Sequence, residues 1–276
     1  MSAKPTLNII GAGKLGRTLG RLFACHGVYE IGAVMCRTQA HAQEAVAFIG
    51  HGTPCCDISA LRPASVTLIG TADDHIAPVC SQLAQAGLFR AGDTVFHCSG
   101  ALPADVLAAA SGAGCAVASI HPMRSFANPE QVASSFAGTW CGVEGQADAL
   151  SLFLAGFASI GARTVPIHAA DKTLYHAAAV FASNYLVTIL DVALSVYARA
   201  GVPRTIALEM IAPLVRGSVE NVLANGPENA LTGPVQRGDL ATVENHYRAL
   251  RACDPRSASL YRQLARAAAV LARRVQ

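Results

Sequence analysis

A chain of 276 residues with 52% hydrophobic content is long enough to bury a sizeable core without disulfide staples. Its 21 basic and 18 acidic residues leave a formal charge of only +3, which excludes the electrostatics of a nucleic-acid binder or an anionic-membrane binder. The expected partners are a small-molecule substrate and a second copy of the chain. The cysteines are scattered, with no C-x-x-C pair, so they read as small buried residues in a reducing, cytoplasmic setting, and the N-terminus shows no signal-peptide pattern.

Leu7-Asn8-Ile9-Ile10 reads as a short buried strand, and Gly11-Ala12-Gly13-Lys14-Leu15-Gly16 follows with G-x-G-x-x-G spacing. Leu15 to Phe23 then has the apolar spacing of a helix. In this strand-turn-helix context Gly11 allows a tight turn, Gly13 lets a pyrophosphate approach the backbone, and Gly16 lets the helix pack on the strand. The phosphates would rest on the free N–H groups of the helix N-terminus. Gly11, Ala12, Gly13, Lys14, Leu15 and Gly16 are therefore the expected cofactor cradle.

Ile31 to Cys36 reads as a second buried strand and Gln39 to Phe48 as a helix. A cofactor with a free ribose 2′-hydroxyl usually meets an acid at the end of that strand; this chain has Cys36-Arg37-Thr38 instead. Arg37 could form a charged fork on a 2′-phosphate and Thr38 could add a hydroxyl donor, which favours NADP over NAD as cofactor; the other reading of Arg37 is a solvated loop charge. Cys55-Cys56 lie beside His51 and Asp57, but adjacent thiols suit a tetrahedral site poorly, and no metal is expected.

Three further strands, Val66 to Gly70, Thr94 to His97 and Ala116 to Ile120, end in polar tips: Thr71-Ala72-Asp73-Asp74, Cys98-Ser99-Gly100 and His121-Pro122-Met123. Ligands of open parallel sheets gather beyond the C-terminal strand ends, so these tips should share one crevice with the glycine turn. Thr71 and Ser99 are expected near the nicotinamide end. Asp73 or Asp74 reads as the N-cap of a helix from Ile76 to Ala86, in preference to a catalytic acid. Ser99-Gly100 is open between a site role and plain turn chemistry, and His121 between substrate positioning and a structural role.

Thr139 to Val143 reads as a strand, Ala147 to Ser159 as a helix and Thr164-Val165 as a short strand, which closes a first domain at residue 166. Residues 167 to 276 read as helices: Ala169 to Ala200, Arg204 to Leu223, Leu240 to Arg251 and Pro255 to Val275. The fold class is α/β, a Rossmann-like doubly wound, mostly parallel sheet followed by an all-α dimerisation domain. The uncharged stretch from Thr173 to Leu190 is interrupted by Tyr175, His176, Ser183, Asn184 and Thr188. It therefore suits a helix buried in protein better than a membrane span, and its apolar faces predict a homodimer through these helices.

On that helix, at 100° per residue, Lys172, His176 and Ser183 fall within about 40° of one another, flanked by Tyr175 and Asn184. Buried polar residues on an apolar helix need partners, and these would line the substrate side of the crevice. Reducing a C=O or C=N bond by hydride needs a proton donor for the heteroatom, which Lys172, His176 or Tyr175 could supply. His121, Ser183 and Asn184 would position substrate. The other reading is that His176 and Asn184 satisfy each other in a dimer core.

Taken with His97-Cys98-Ser99-Gly100-Ala101-Leu102, His121-Pro122-Met123-Arg124-Ser125-Phe126, Lys172 to Asn184 and Leu231-Thr232-Gly233-Pro234 with Arg237-Gly238-Asp239, the glycine motif resembles that of bacterial Rossmann-like proteins with a C-terminal helical domain of unknown function. More broadly the chain is similar to pyrroline-5-carboxylate reductases, β-hydroxyacid dehydrogenases and deazaflavin-dependent NADP oxidoreductases. The resemblance implies an NADP-type Rossmann domain followed by a helical dimerisation domain. It departs from β-hydroxyacid dehydrogenases, which carry an asparagine four residues after the lysine; here that position is His176. His121-Pro122-Met123 resembles a motif of prephenate dehydrogenases, without the rest of their signature. The expected function is an NADP(H)-dependent oxidoreductase acting on a small carbonyl, imine or hydroxy acid, with Lys172 and His176 catalytic. The alternative is an NADP(H)-binding sensor without turnover.

Overall fold

A computed structural model describes residues 4–274. The short, mostly apolar runs become the central strands of an eight-stranded sheet, in the order β3-β2-β1-β4-β5-β6-β7-β8. These are β1 (Thr6–Ile10), β2 (Glu30–Met35), β3 (Thr53–Cys55), β4 (Val66–Ile69), β5 (Thr94–His97), β6 (Ala116–Pro122), β7 (Trp140–Gly145) and β8 (Arg163–Pro166). β4 and β5 are buried at every residue, as expected for strands covered on both faces. All neighbours pair in parallel except β6 and β7, which are antiparallel.

Side-chain alternation sorts the two cores. Leu7, Ile9, Leu68 and Phe96 join Phe23, Phe153 and Phe157 on one face. Ile10, Ile69, Val95 and Val117 join Ile76, Leu83 and Leu107 on the other. The covering helices are α1 (Lys14–Cys25), α2 (Gln39–Ile49), α3 (Asp73–Gln85), α4 (Ala108–Gly112), α5 (Pro129–Ser134) and α6 (Ala147–Ser159). The buried polar side chain of Asn8 is paid for by two bonds: its oxygen accepts from Ala33 N at 2.8 Å and its amide donates to Arg62 O at 2.8 Å.

Where one helix was expected from Ala169 to Ala200, the chain forms a 3₁₀ turn at Ala169–Asp171, then α7 (Lys172–Ala182) and α8 (Asn184–Arg199). Ser183 between them leaves helical geometry, at φ −122° and ψ −71°. The remaining helices are α9 (Arg204–Ala230), α10 (Leu240–Cys253) and α11 (Pro255–Ala272). α9 runs past the expected end at Leu223, but Gly226 inside it is non-helical, at φ 78° and ψ 159°. The expected end at Val275 lies outside the described residues.

The chain divides into two compact units, the first ending at Ser183 and the second starting at Asn184. α7 therefore belongs to the unit that holds the sheet, beyond the boundary read at residue 166. The second unit has a small core of its own around Leu194, Ala207 and Ile211.

Candidate functional site

β1 is followed by Gly11, whose φ of +89° is open to glycine and strained for other residues. A Cβ there would stand 2.8 Å from Thr71 N, and one on Gly16 would stand 2.7 Å from Gly11 O. Gly13 differs, since a Cβ on it would meet nothing within 4 Å. It precedes α1 in extended conformation and gives the helix no side-chain cap. The N–H groups of the first turn thus face a cleft of about 460 Å³, bordered by Gly11, Gly13, Arg17, Arg37, His41 and Thr71. The Thr71 hydroxyl is buried there with no protein partner among the described residues. An uncapped helix end, an open middle glycine and an orphaned hydroxyl fit a dinucleotide. Thr38 caps α2, accepting from His41 N at 3.3 Å, which leaves its own O–H free to donate.

Past Thr71 the cleft continues as a network on the strand tips. Asp73 does not cap α3, contrary to the sequence reading; Ala72 holds that position without a side-chain bond. Instead Asp73 accepts from the Ser99 hydroxyl at 2.8 Å. Ser99 Oγ also accepts from the Ala101 and Leu102 amides, at 3.2 and 3.0 Å. Its hydroxyl is therefore occupied by the turn it closes. Ser99 N donates to His97 Nδ1 at 3.1 Å, so the ring hydrogen sits on Nε2 and donates to Pro103 O at 3.1 Å. Burial holds His97 neutral, with its pKa lowered to about 4.

Pairing of β6 with β7 sets Ser119 level with Glu144 and His121 level with Gly142. Lys172, the first residue of α7, reaches down onto the lower of these rows. Its Nζ donates to Ser99 O at 3.0 Å and to Ser119 Oγ, and lies 3.7 Å from Glu144 Oε1. Glu144 Oε1 also accepts from Ala104 N at 2.7 Å. Lys172 is 2% exposed and Glu144 9%. Burial pushes the lysine pKa down, opposed by Glu144, and pushes the glutamate pKa up.

One turn along α7, Tyr175 and His176 meet the upper row. Tyr175 OH lies 3.1 Å from His121 Nδ1. The tyrosine hydroxyl also donates to Met123 Sδ at 3.9 Å, and burial raises its pKa. Burial first, then His176 and Lys172, lower the His121 pKa to about 4. The rings of His121 and His176 stand edge to face with centroids 5.7 Å apart. His176 Nδ1 is buried and has no partner among the described residues. Two glycines make room for the rings: a Cβ on Gly142 would stand 2.6 Å from Tyr175 OH, and one on Gly100 would stand 2.9 Å from His121 Nε2 and collide with His176 Nδ1.

The structure thus gathers Lys172, His176, His121 and Ser99 in one cluster, with Gly11 to Gly16, Arg37 and Thr71 along the adjoining cleft. Ser183 lies at the helix break and Asn184 opens α8; both are exposed. Glu144 and the Asp73–Ser99 bond were missed. The signal for Glu144 was an acid in an otherwise apolar strand, one residue past the strand end as read. Among the described residues no group of three or more His, Cys, Asp or Glu is placed to hold a metal.

Residues 2–122 match the family model of a Rossmann-like domain, and residues 139–268 match that of a domain of unknown function, DUF2520. No curated protein matches the chain. Among solved structures, protein TM1727 from Thermotoga maritima is 25% identical, with a TM-score of 0.74 over 97% of this chain and 98% of that one. An imine reductase from Myxococcus stipitatus in complex with NADP+ shares the fold at 19% identity and a TM-score of 0.62, over 98% of this chain and 93% of that one. A pyrroline-5-carboxylate reductase from Coxiella burnetii does so at 16% identity and a TM-score of 0.57, over 99% of both chains. The two matches follow one another along the chain, the Rossmann-like model over β1 to β6 and DUF2520 from β7 into α11.

Proposed function

We propose that the protein is an NADP(H)-dependent oxidoreductase that moves hydride to or from a small carbonyl, imine or hydroxy acid. The observation that carries this reading is the continuity of the glycine cradle, through Thr71, Asp73 and Ser99, with two imidazoles at the crevice, one of them unpartnered at His176 Nδ1. The imine reductase and the pyrroline-5-carboxylate reductase that share the fold are enzymes of this class.

In this reading the first-turn amides of α1 hold the pyrophosphate, Arg37 and Thr38 hold the 2′-phosphate, and Thr71 supplies its free hydroxyl at the nicotinamide end. Ser99 shapes that end through its carbonyl and the turn it closes. Bound NADP(H) supplies or accepts the hydride. His121 positions the substrate, and His176 transfers the proton that accompanies the hydride. Lys172 has three acceptors around Nζ, so it positions α7 and places positive charge under the crevice. Free thiols throughout suit a cytoplasmic enzyme, and the exposed faces of α7 and α8 suit a homodimer.

The test combines binding and turnover. Arg37→Ala should weaken NADPH roughly tenfold or more and leave NADH nearly unchanged. With a panel of keto acids, imines and hydroxy acids, His176→Ala should cut turnover about a hundredfold at unchanged NADPH affinity. Equal weakening of both cofactors removes the 2′-phosphate role. NADPH binding with no turnover across the panel returns the sensor reading.

A further inference from the structure

A second opening lies at the other end of the Lys172–Glu144 pair. It is a cavity of about 610 Å³ bordered by Ala104, Asp105, Ala108, Glu144, Gln146 and His168. Asp105, Ala108, Gln146 and His168 are exposed on its rim, whereas Lys172 does not border it. The pair therefore has two ends. The ammonium faces the crevice floor at Ser99 O and Ser119 Oγ, and the carboxylate borders the cavity.

We infer that Glu144 is the solvent-side door for protons of Lys172, so that the crevice floor exchanges protons through this cavity and not through the cofactor cleft. The step balances within the pair: Lys172 Nζ passes a proton to the Glu144 carboxylate, the neutral acid gives that proton to water in the cavity and takes another from it, and the new proton returns to the amine. One proton enters and one leaves, with no other bond changed. Burial disfavours the charged form of both groups, which narrows the gap between ion pair and neutral pair. The other charged or titratable groups that act on the pair are Asp105 from the 3₁₀ turn before α4, Asp73 from α3, and Cys98, His97 and His121 from the β5 and β6 strand ends. The use of this route in catalysis rests on the oxidoreductase reading.

The test uses the whole protein without substrate. Lys4, Lys14 and Lys172 are the only lysines, and Lys4 and Lys14 are exposed, so ¹⁵N-lysine labelling isolates the buried ammonium by NMR. Ala108→Phe, which fills the cavity from an exposed position, should slow hydrogen exchange at Lys172 Nζ by about tenfold or more without moving its resonance. Glu144→Gln should slow it as well. Saturating NADPH should leave the rate unchanged. Unaltered exchange in Ala108→Phe, or exchange suppressed by NADPH, would overturn the assignment. Absence of NADPH binding strikes the functional reading alone.

Discussion

His97 shows how much a single side chain can commit the fold to one protonation state. Its two ring nitrogens tie the Ser99 amide to the Pro103 carbonyl, and a pKa lowered from 6.5 to about 4 keeps it neutral. Between those values the unfolded chain takes up a proton that the folded chain refuses. Stability is therefore level above pH 6.5 and declines as pH falls toward 4, by on the order of 3 kcal/mol for this residue. His121 is shifted in the same direction. Thermal unfolding from pH 7 to pH 4 should show a steep acid decline that is shallower in His97→Gln. Parallel curves for the two proteins would mean that His97 contributes nothing to it. None of this was legible in Thr94 to His97, which reads only as an apolar strand. The partners of His97 depend on the turn after it.

At the scale of elements, strands buried on both faces announce themselves as short runs rich in apolar residues, and β1, β4, β5 and β6 are legible for that reason. β3, α4 and α5 are too short for a period to emerge. The break between α7 and α8 carries no Gly or Pro, the usual marks of a helix end. The crevice was legible as three polar strand tips. Its wiring was not, because Lys172 lies 73 residues from Ser99 and 53 from Ser119. The ring cluster depends on how closely α7 approaches β6 and β7. Gly100→Ala places a methyl against His176 Nδ1 and His121, so the helix turn or the rings must yield. The expected cost is about 1–3 kcal/mol in stability, with turnover on the active substrate panel falling much further than NADPH affinity. A variant with wild-type turnover would show that the close approach is irrelevant to chemistry.

For the whole molecule, the segment Ala169–Arg199 is the long apolar feature, with a mean hydropathy of 1.7 and only 6% of its most apolar window buried. By length and composition it could cross a membrane. Its first half cannot do so while Lys172 is held by Glu144 and Tyr175 by His121 in the sheet-bearing unit. Leu174 is 74% exposed and Val187 68%, and a second copy of the chain is the cover we propose for these faces. Light scattering should give twice the chain mass at micromolar concentration. The double variant Leu174→Glu, Val187→Glu should give a monomer. A wild-type monomer removes the dimer.

The antiparallel course of β7 has a consequence for how this scaffold could diversify. A parallel crossover must return to the far edge of the sheet before starting the next strand. The connection from β6 to β7 stays at the edge where the glycine-lined cleft opens, and it begins at Met123, which is 42% exposed. Insertions between Met123 and Thr139 would remodel the mouth of the crevice while the glycine turn, Arg37 and the Lys172 pair stay in place. On the function proposed above, descendants of such a chain could change what they accept without relearning how to hold a nucleotide.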